Sequence, residues 1–480
     1  MELRPVVFIL GILLSILAVA MTVPAIVDAV AGHPDWQVFA AAAATTLFVG
    51  VLMILTTRSG WSGFNLRQAI IMTNLAWVVI AAFGALPFVY SQLDLSVTDA
   101  FFEAMSGVTT TGATVIIGLD SAPPGILLWR GILQWLGGIG IIVMALAVLP
   151  MLRVGGMQLF RVEAFEADKV LPRAAQIAAG IAIIYVGLTI AAVIMLWALG
   201  MTGFEAVVHA MTALSTGGFS TSDGSIGHFN SAAIDWAVCA IMLFGSMPFV
   251  LYLRVLRGNP SALYRNTQVQ WMFAILAGAI GMITFWLWFQ GIMPPVRALR
   301  FATFNVISIM TGTGYATADF DNWGGFVMAV LFVLMFIGGC AGSTTCGIKV
   351  FRFQVLYATA ITQLKRLFQP NGVFLPYYNR RPISESVASS VMAFFFLFIA
   401  SFGFLAMGLG LTGLDFITAI SGAATVISNV GPGLGDIIGP AGTFTSLPDA
   451  AKWLLAAGML LGRLELFTVL VLFLPAFWRG

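Results

Sequence analysis

Four short stretches of this sequence are rich in threonine and glycine and free of charge. They read Thr109-Thr110-Thr111-Gly112-Ala113, Ser215-Thr216-Gly217-Gly218-Phe219, Thr311-Gly312-Thr313-Gly314-Tyr315 and Ser428-Asn429-Val430-Gly431-Pro432. A cation leaves water only where oxygen atoms replace its hydration shell, and backbone carbonyls do so without a fixed charge. Glycine admits backbone angles closed to other residues, so a loop that carries it can turn its carbonyls toward an axis. The candidate ligands are thus the backbones of Thr110, Thr111 and Gly112, of Thr216, Gly217 and Gly218, of Gly312, Thr313 and Gly314, and of Asn429, Val430 and Gly431. No carboxylate lies within these cores, so selection by dipoles favours a monovalent over a divalent ion. Eight residues before each glycine stand Ala104, Ala210, Val306 and Ala423, all small or β-branched. One such fragment is an ordinary tight turn. Four, in register with a hydropathy repeat of roughly 100 residues, point to a pore ring made by one polypeptide.

The elements that must position these loops follow from composition. Of 480 residues, 60% are hydrophobic and 9% charged, against about 25% charged in soluble domains. The chain is therefore an integral helical membrane protein. Apolar runs predict helices near 6–30, 37–57, 69–90, 126–151, 174–199, 232–254, 267–291, 325–368, 384–410 and 450–477. The first continues apolar past any signal-peptide length without a clear cleavage site, so it reads as a retained helix. Four further segments, near 97–111, 203–216, 296–311 and 413–428, are too short to span a bilayer, which takes about 20 residues. They read as half-length helices that enter and return. The expected fold is all-α: an N-terminal helix pair (1–60), then four parallel units of helix, pore helix, filter and helix with pseudo-fourfold, potassium-channel-like symmetry. These units cover 61–170, 171–262, 263–375 and 376–480, the third with an interrupted helix at 338–347. Cys239, Cys340 and Cys346 lie in or beside apolar runs and read as small packing residues.

Lysine and arginine set the orientation. With ten spans both termini share a side, and that side holds Arg4, Arg58, Arg67, Arg153, Arg161, Lys169, Arg173, Arg254, Arg257, Arg265, Lys349, Arg352, Lys365, Arg366, Arg380, Arg381 and Arg479. Only Arg130, Arg297, Arg300 and Lys452 fall opposite. The rich side is expected to be cytoplasmic, with the four loops opening outward beneath a vestibule of carboxylates that includes Asp94, Asp99, Asp120, Asp223, Asp235, Asp319, Asp321, Asp415, Asp436 and Asp449.

Two features suggest a barrier below the filter. Gly338, Gly339, Gly342 and Gly347, interleaved with Ala341, Ser343 and Thr344, interrupt an apolar run with poor helix formers. Unpaired backbone at membrane depth is tolerated only beside protein or a water-filled cavity, so this strap is expected to act as a gate. Arg463 lies within the last apolar run, where an arginine costs about 2.5–3.5 kcal/mol on insertion scales. Glu465, two residues on, faces elsewhere on a continuous helix, so Arg463 needs carbonyls or water, which the strap would supply.

The motifs Phe101-Phe102-Glu103-Ala104-Met105-Ser106-Gly107 before Thr109 to Thr114, Ser215 to Thr221, Asn429 to Gly435, Gly338 to Thr344, Gly347-Ile348-Lys349 and Gly462-Arg463-Leu464-Glu465 resemble those of the Trk/Ktr/HKT superfamily of potassium transporters, nearest its TrkH/TrkG branch. The resemblance covers nearly the whole chain and places Lys349 with the gate. It implies potassium as bound substrate with no organic cofactor, a homodimer with one pore per protomer in the cell inner membrane, and regulation by a TrkA-like cytoplasmic nucleotide-binding ring. Glycine in all four loops matches the potassium-selective members. Two positions depart from the pattern: Gly312 replaces a more usual threonine, and Thr345-Cys346 replaces glycines in the interrupted helix.

No nucleotide-binding segment occurs in this chain, and the inner segments 152–173 and 365–383 are the expected docking surfaces, or anchors to anionic lipid. A net charge of +2 gives no case for nucleic acid. His33, His209 and His228 do not pair on spanning helices, and no catalytic motif appears, so an enzyme is not expected. The alternative is a sodium- or proton-coupled symporter, or another monovalent cation transporter, on the same scaffold.

Overall fold

The computed structural model describes residues 2–58, 65–147, 170–379 and 381–479. Arg4–Ala31 and Trp36–Thr57 form the N-terminal pair. They approach closely at Gly11 and Gly50, where a β-carbon on either glycine would press on the other's carbonyl. Small residues let membrane helices pack in this way.

Four units follow. The first is Leu66–Gly84, a short pore helix Val97–Val108 and Pro124–Ala147. The second is Val170–Ala198, Gly203–Leu214 and Ala232–Ser246. The third is Thr267–Phe289, Pro295–Met310 and Gly325–Phe336, resumed as Val350–Phe368 after the strap. The fourth is Glu385–Leu411, Phe416–Ser428 and Asp449–Arg463. Three pore helices start on side-chain caps: Ser96 accepts from the Asp99 amide, Thr202 forms a capping box with Glu205, and Asp415 accepts from the Thr418 amide. The third starts with Pro295 in the first turn, where a missing N–H costs nothing.

Among the described residues, seven helices are long and apolar enough to cross a bilayer, and two bent pairs raise this to nine. The helix expected at 325–368 in the third unit is split by the strap, and its apolar first half, Gly325–Phe336, is too short to be counted among them. The bends correct two expectations of continuous helices. The segment expected at 232–254 turns by 94° between Ser246 and Phe249, because Pro248 drives Met247 into an extended conformation. The segment expected at 450–477 turns by 110° after Arg463, where Glu465 and Leu466 adopt φ of 55° and 60°. Glu465 therefore lies in a break and on no helix face at all. Near the ends of the chain, Val6, Leu10, Ile70, Ile71 and Phe477 share one apolar cluster.

Candidate functional site: a ring of four loops above a strap

The last turns of the four pore helices are superposable in their hydrogen bonding. The amides of Thr111, Gly217, Thr313 and Val430 donate to the carbonyls of Ser106, Thr212, Ser308 and Thr425 at 2.8–2.9 Å. One residue earlier, Thr110, Thr216, Gly312 and Asn429 all take left-handed backbone, with φ of 52°, 51°, 71° and 53°. Two residues later Gly112, Gly218, Gly314 and Gly431 do so again, at 85°, 78°, 79° and 110°. Gly312 thus occupies a position where glycine relieves strain, which accounts for its replacing the usual threonine.

These loops close on one another in chain order. A β-carbon on Gly112 would strike the Gly217 carbonyl oxygen, one on Gly218 that of Thr313, and one on Gly314 that of Val430. Completing the circle, one on Gly431 would lie 2.8 Å from the Thr111 oxygen. All twelve candidate residues are brought into this ring. Ala104, Ala210, Val306 and Ala423 are fully buried in the pore helices behind it. The pore helices run toward the ring with their C-terminal ends, whose negative partial charge favours a cation.

Sequence reasoning missed the supports around the ring. Ser106, Thr212, Ser308 and Thr425 place a hydroxyl residue six positions before each filter glycine, a repeat that the sequence itself carries. Arg130 and Glu103 form an ion pair of 2.8 Å with both side chains essentially buried. Arg130 also donates to the Ser220 carbonyl at 2.8 Å and lies 4.0 Å from the Phe219 ring centre. His209 is buried and bonds Ser220 Oγ through Nε2 at 3.1 Å, as fits a packing residue.

The outer carboxylates are less free than expected. Asp99 pairs with Lys452 at 2.5 Å and Asp235 with Arg300 at 2.6 Å. Asp223 accepts from the Gly118 and Leu119 amides, and Asp415 caps a helix. Asp321 joins the outer loops of the third and fourth units by accepting from the Gly435 amide at 2.9 Å. Burial, with Asp319 and Asp436 nearby, raises its carboxyl from the usual value to about 6 against the pull of that amide. A carboxyl raised in the folded state contributes stability at low pH that is lost as pH rises from about 4 through about 6. Thermal unfolding of the purified protein is expected to shift to lower temperature across that window. Asp321→Asn, which keeps the acceptor, should remove this part of the pH dependence; an unchanged pH profile in the variant would contradict the assignment.

Below the ring lies the strap. Helix stops at Phe336, Ile337 and Ile348 form a parallel bridge, and helix resumes at Val350. The backbone of 338–347 is held from outside itself: Cys340 donates to the Ser246 carbonyl, Thr344 to that of Gly245, and Ala341 to Gln268 Oε1. Ser343 Oγ donates to the Cys340 carbonyl, and Gly339 and Gly342 bond to Thr345 Oγ1 and the Phe249 amide. A β-carbon on Gly338 would strike the Cys346 carbonyl, and Gly347 has φ of 68°. Thr216 Oγ1 of the second filter loop donates to Thr344 Oγ1 at 3.2 Å. Arg463, 1% exposed, donates to the Thr344 carbonyl at 3.1 Å, to Cys346 Sγ at 2.9 Å and to the Gly137 carbonyl at 2.7 Å. Glu465 pairs instead with Arg352.

Lys349 is buried and bends back on the strap, donating to the Thr345 carbonyl and hydroxyl. Lys349 thus lies at the strap, where the resemblance puts it, and Arg352, counted among the cations of the arginine-rich side, is buried beside Glu465. The three cysteines are free and buried. The expected docking segment 152–173 falls largely outside the described residues, as does Arg380. Within 365–383, helix gives way to a hairpin pairing Tyr377–Tyr378 with Arg381–Pro382.

Four quasi-equivalent pore loops in one chain, among helices long enough to cross a bilayer, define a multi-pass membrane transport protein. The chain belongs to the TrkH family: its profile, described as a cation transport protein, matches residues 35–479. The sequence is 46% identical, over 99% of this chain and 97% of the relative, to the Trk system potassium uptake protein TrkI of Halomonas elongata. It is 37% identical, over the full length of both, to the Trk system potassium uptake protein TrkH of Escherichia coli K12. The crystal structure of the potassium transporter TrkH from Vibrio parahaemolyticus matches with a TM-score of 0.93 and 35% identity over all of both chains. These are transport proteins and not enzymes.

Proposed function

We propose that this chain takes up potassium across the inner membrane, with the carbonyl groups of Thr110–Gly112, Thr216–Gly218, Gly312–Gly314 and Asn429–Gly431 standing in for water around the ion. The observation that carries this reading is the closed circuit in which each filter glycine abuts the next loop's carbonyl. The names of the full-length relatives support potassium as the substrate. The repeats proposed are 61–170, 171–262, 263–375 and 376–480 after an N-terminal pair at 1–60. The packing of Val6 against the cluster that holds Phe477 supports both termini on one side, and the arginine count makes that side the cytoplasm. Assembly as a homodimer and control by a separate TrkA-like nucleotide-binding ring rest on the family resemblance.

The strap and Arg463 form the proposed gate. A cation held at about 6 Å from the guanidinium meets a repulsion of about 3 kcal/mol at an effective dielectric of about 20. Arg463→Ala is therefore expected to raise potassium flux into proteoliposomes roughly ten- to hundredfold, and Arg463→Lys, which keeps the charge, to leave it low. Fluxes of potassium, rubidium, sodium and lithium, with and without a pH gradient, test the reading. Potassium and rubidium should enter far ahead of sodium and lithium. Equal entry of all four would refute a filter, and flux that requires the pH gradient would establish the symport alternative.

A further inference from the structure

The second filter loop differs from the others at the position just before its glycine. Thr111 and Thr313 stand there in the first and third loops, each bonded through Oγ1 to the hydroxyl of Thr109 or Thr311 at 2.8 Å, and Val430 stands there in the fourth. The second loop has Gly217, whose backbone is not left-handed, so conformational freedom does not explain it. Space does. A β-carbon on Gly217 would run into the amide group of Gln134, a fully buried side chain from the helix Pro124–Ala147.

Gln134 makes two bonds that bracket the filter glycine. Its Nε2 donates to the Gly217 carbonyl at 2.6 Å, and its Oε1 accepts from the Phe219 amide at 3.0 Å. The orientation of the amide is fixed by its partners, since a carbonyl only accepts and an N–H only donates. The peptide planes on both sides of Gly218 are thereby locked by one side chain. The Gly217 oxygen belongs to the same tier as those of Thr111, Thr313 and Val430, because each abuts the preceding loop's filter glycine in the circuit. A carbonyl has two acceptor sites, so it can take the Gln134 hydrogen bond and still offer a lone pair to an ion, in a direction that the bond sets.

We propose that Gln134 is a positioning residue that sets the discrimination between monovalent cations, by holding the Gly217 carbonyl and the Gly218 backbone in the register that the other loops reach with their own side chains. This rests on the four loops being the selectivity filter. Gln134→Met removes both bonds at similar volume, and the double variant Gln134→Ala/Gly217→Thr hands the task back to a local hydroxyl facing Ser215, as in the first and third loops.

Potassium and sodium fluxes into proteoliposomes give the ratio to be read, beside folded yield and thermal unfolding. Gln134→Met is expected to lower the potassium-to-sodium ratio roughly five- to tenfold, and the double variant to restore it to within about twofold of the parent. A parental ratio in folded Gln134→Met overturns the inference, as does a double variant with a ratio as low as the single one. If Gln134→Met does not fold, the double variant decides: a parental ratio supports the inference, and a lost ratio overturns it. Gly218→Ala separates the two levels. If it changes selectivity and the Gln134 variants do not, only this inference fails; if it too leaves the ratio unchanged, the filter reading itself fails.

Discussion

Gly218→Ala is expected to destroy potassium-over-sodium discrimination, lowering the flux ratio at least roughly tenfold, while leaving a protein that still folds into the membrane. Two effects coincide at this position. The backbone has φ of 78°, a left-handed conformation that costs an L-residue about 1–2 kcal/mol. The added methyl would also overlap the Thr313 carbonyl, one of the oxygens proposed to replace hydration water. That oxygen must move, and with it the geometry of the tier. The same holds for Gly112 against Gly217 and for Gly314 against Val430. Gly431 has more room, its nearest neighbour being the Thr111 oxygen at 2.8 Å, so alanine there should do the least damage of the four. Gly312 is a different case. It is left-handed, yet a β-carbon would have its nearest neighbour at 3.1 Å, and asparagine already fills the equivalent position in the fourth loop. Gly312→Asn should therefore keep selectivity close to that of the parent. Paired potassium and sodium fluxes across this series check the order; a parental ratio in Gly218→Ala would end the case for a carbonyl filter.

The loops were legible because their chemistry is local. Thr/Gly segments carry their own backbone preference, and a pore helix too short to span a bilayer cannot be disguised by composition. Its start is also written locally, as Ser96 three residues before Asp99 or Thr202 three before Glu205. What hydropathy could not show is where a helix turns without a change of polarity. Ala232–Ser246 and Phe249–Leu256 are both apolar, and only Pro248 marked the corner between them. The break after Arg463 has no proline or glycine at Glu465 or Leu466, so no local signal existed. Charge counting assigns a side of the membrane but not a depth of burial. Lys349 and Arg352 are both buried, Lys349 turned back on the carbonyl of Thr345 four residues before it and Arg352 held by Glu465, a carboxylate more than 100 residues on. The roles of Gln134 and Arg130 were not legible because each acts on a loop some 80 to 90 residues away, a relation that no single sequence displays.

Arg130→Met is expected to abolish most folded protein, because it removes the only ion-pair partner described for Glu103 and leaves that carboxylate fully buried. Stranding one member of a buried pair costs about 3–5 kcal/mol, a large part of what holds most domains together. The loss extends past the pair. The guanidinium also reaches the Ser220 carbonyl and Thr114 Oγ1, and Glu103 accepts from the Val115 amide, so the two residues tie the outer end of the first filter loop to that of the second. Arg130→Lys should rescue poorly, since an ammonium is a compact donor without the planar fork that serves three acceptors at once. Glu103→Gln in the Arg130→Met background removes the stranded charge while keeping an oxygen for Val115. It should recover a substantial fraction of monodisperse protein, measured by size-exclusion yield and thermal unfolding in detergent. Recovery of folding without recovery of the potassium-to-sodium ratio is the expected signature of that double variant: with the charge removed the scaffold closes, but nothing then holds the Ser220 carbonyl and Thr114 in register. An Arg130→Met protein as stable as the parent would show that the pair is dispensable, and would remove the reason to expect any effect on selectivity from this side of the ring.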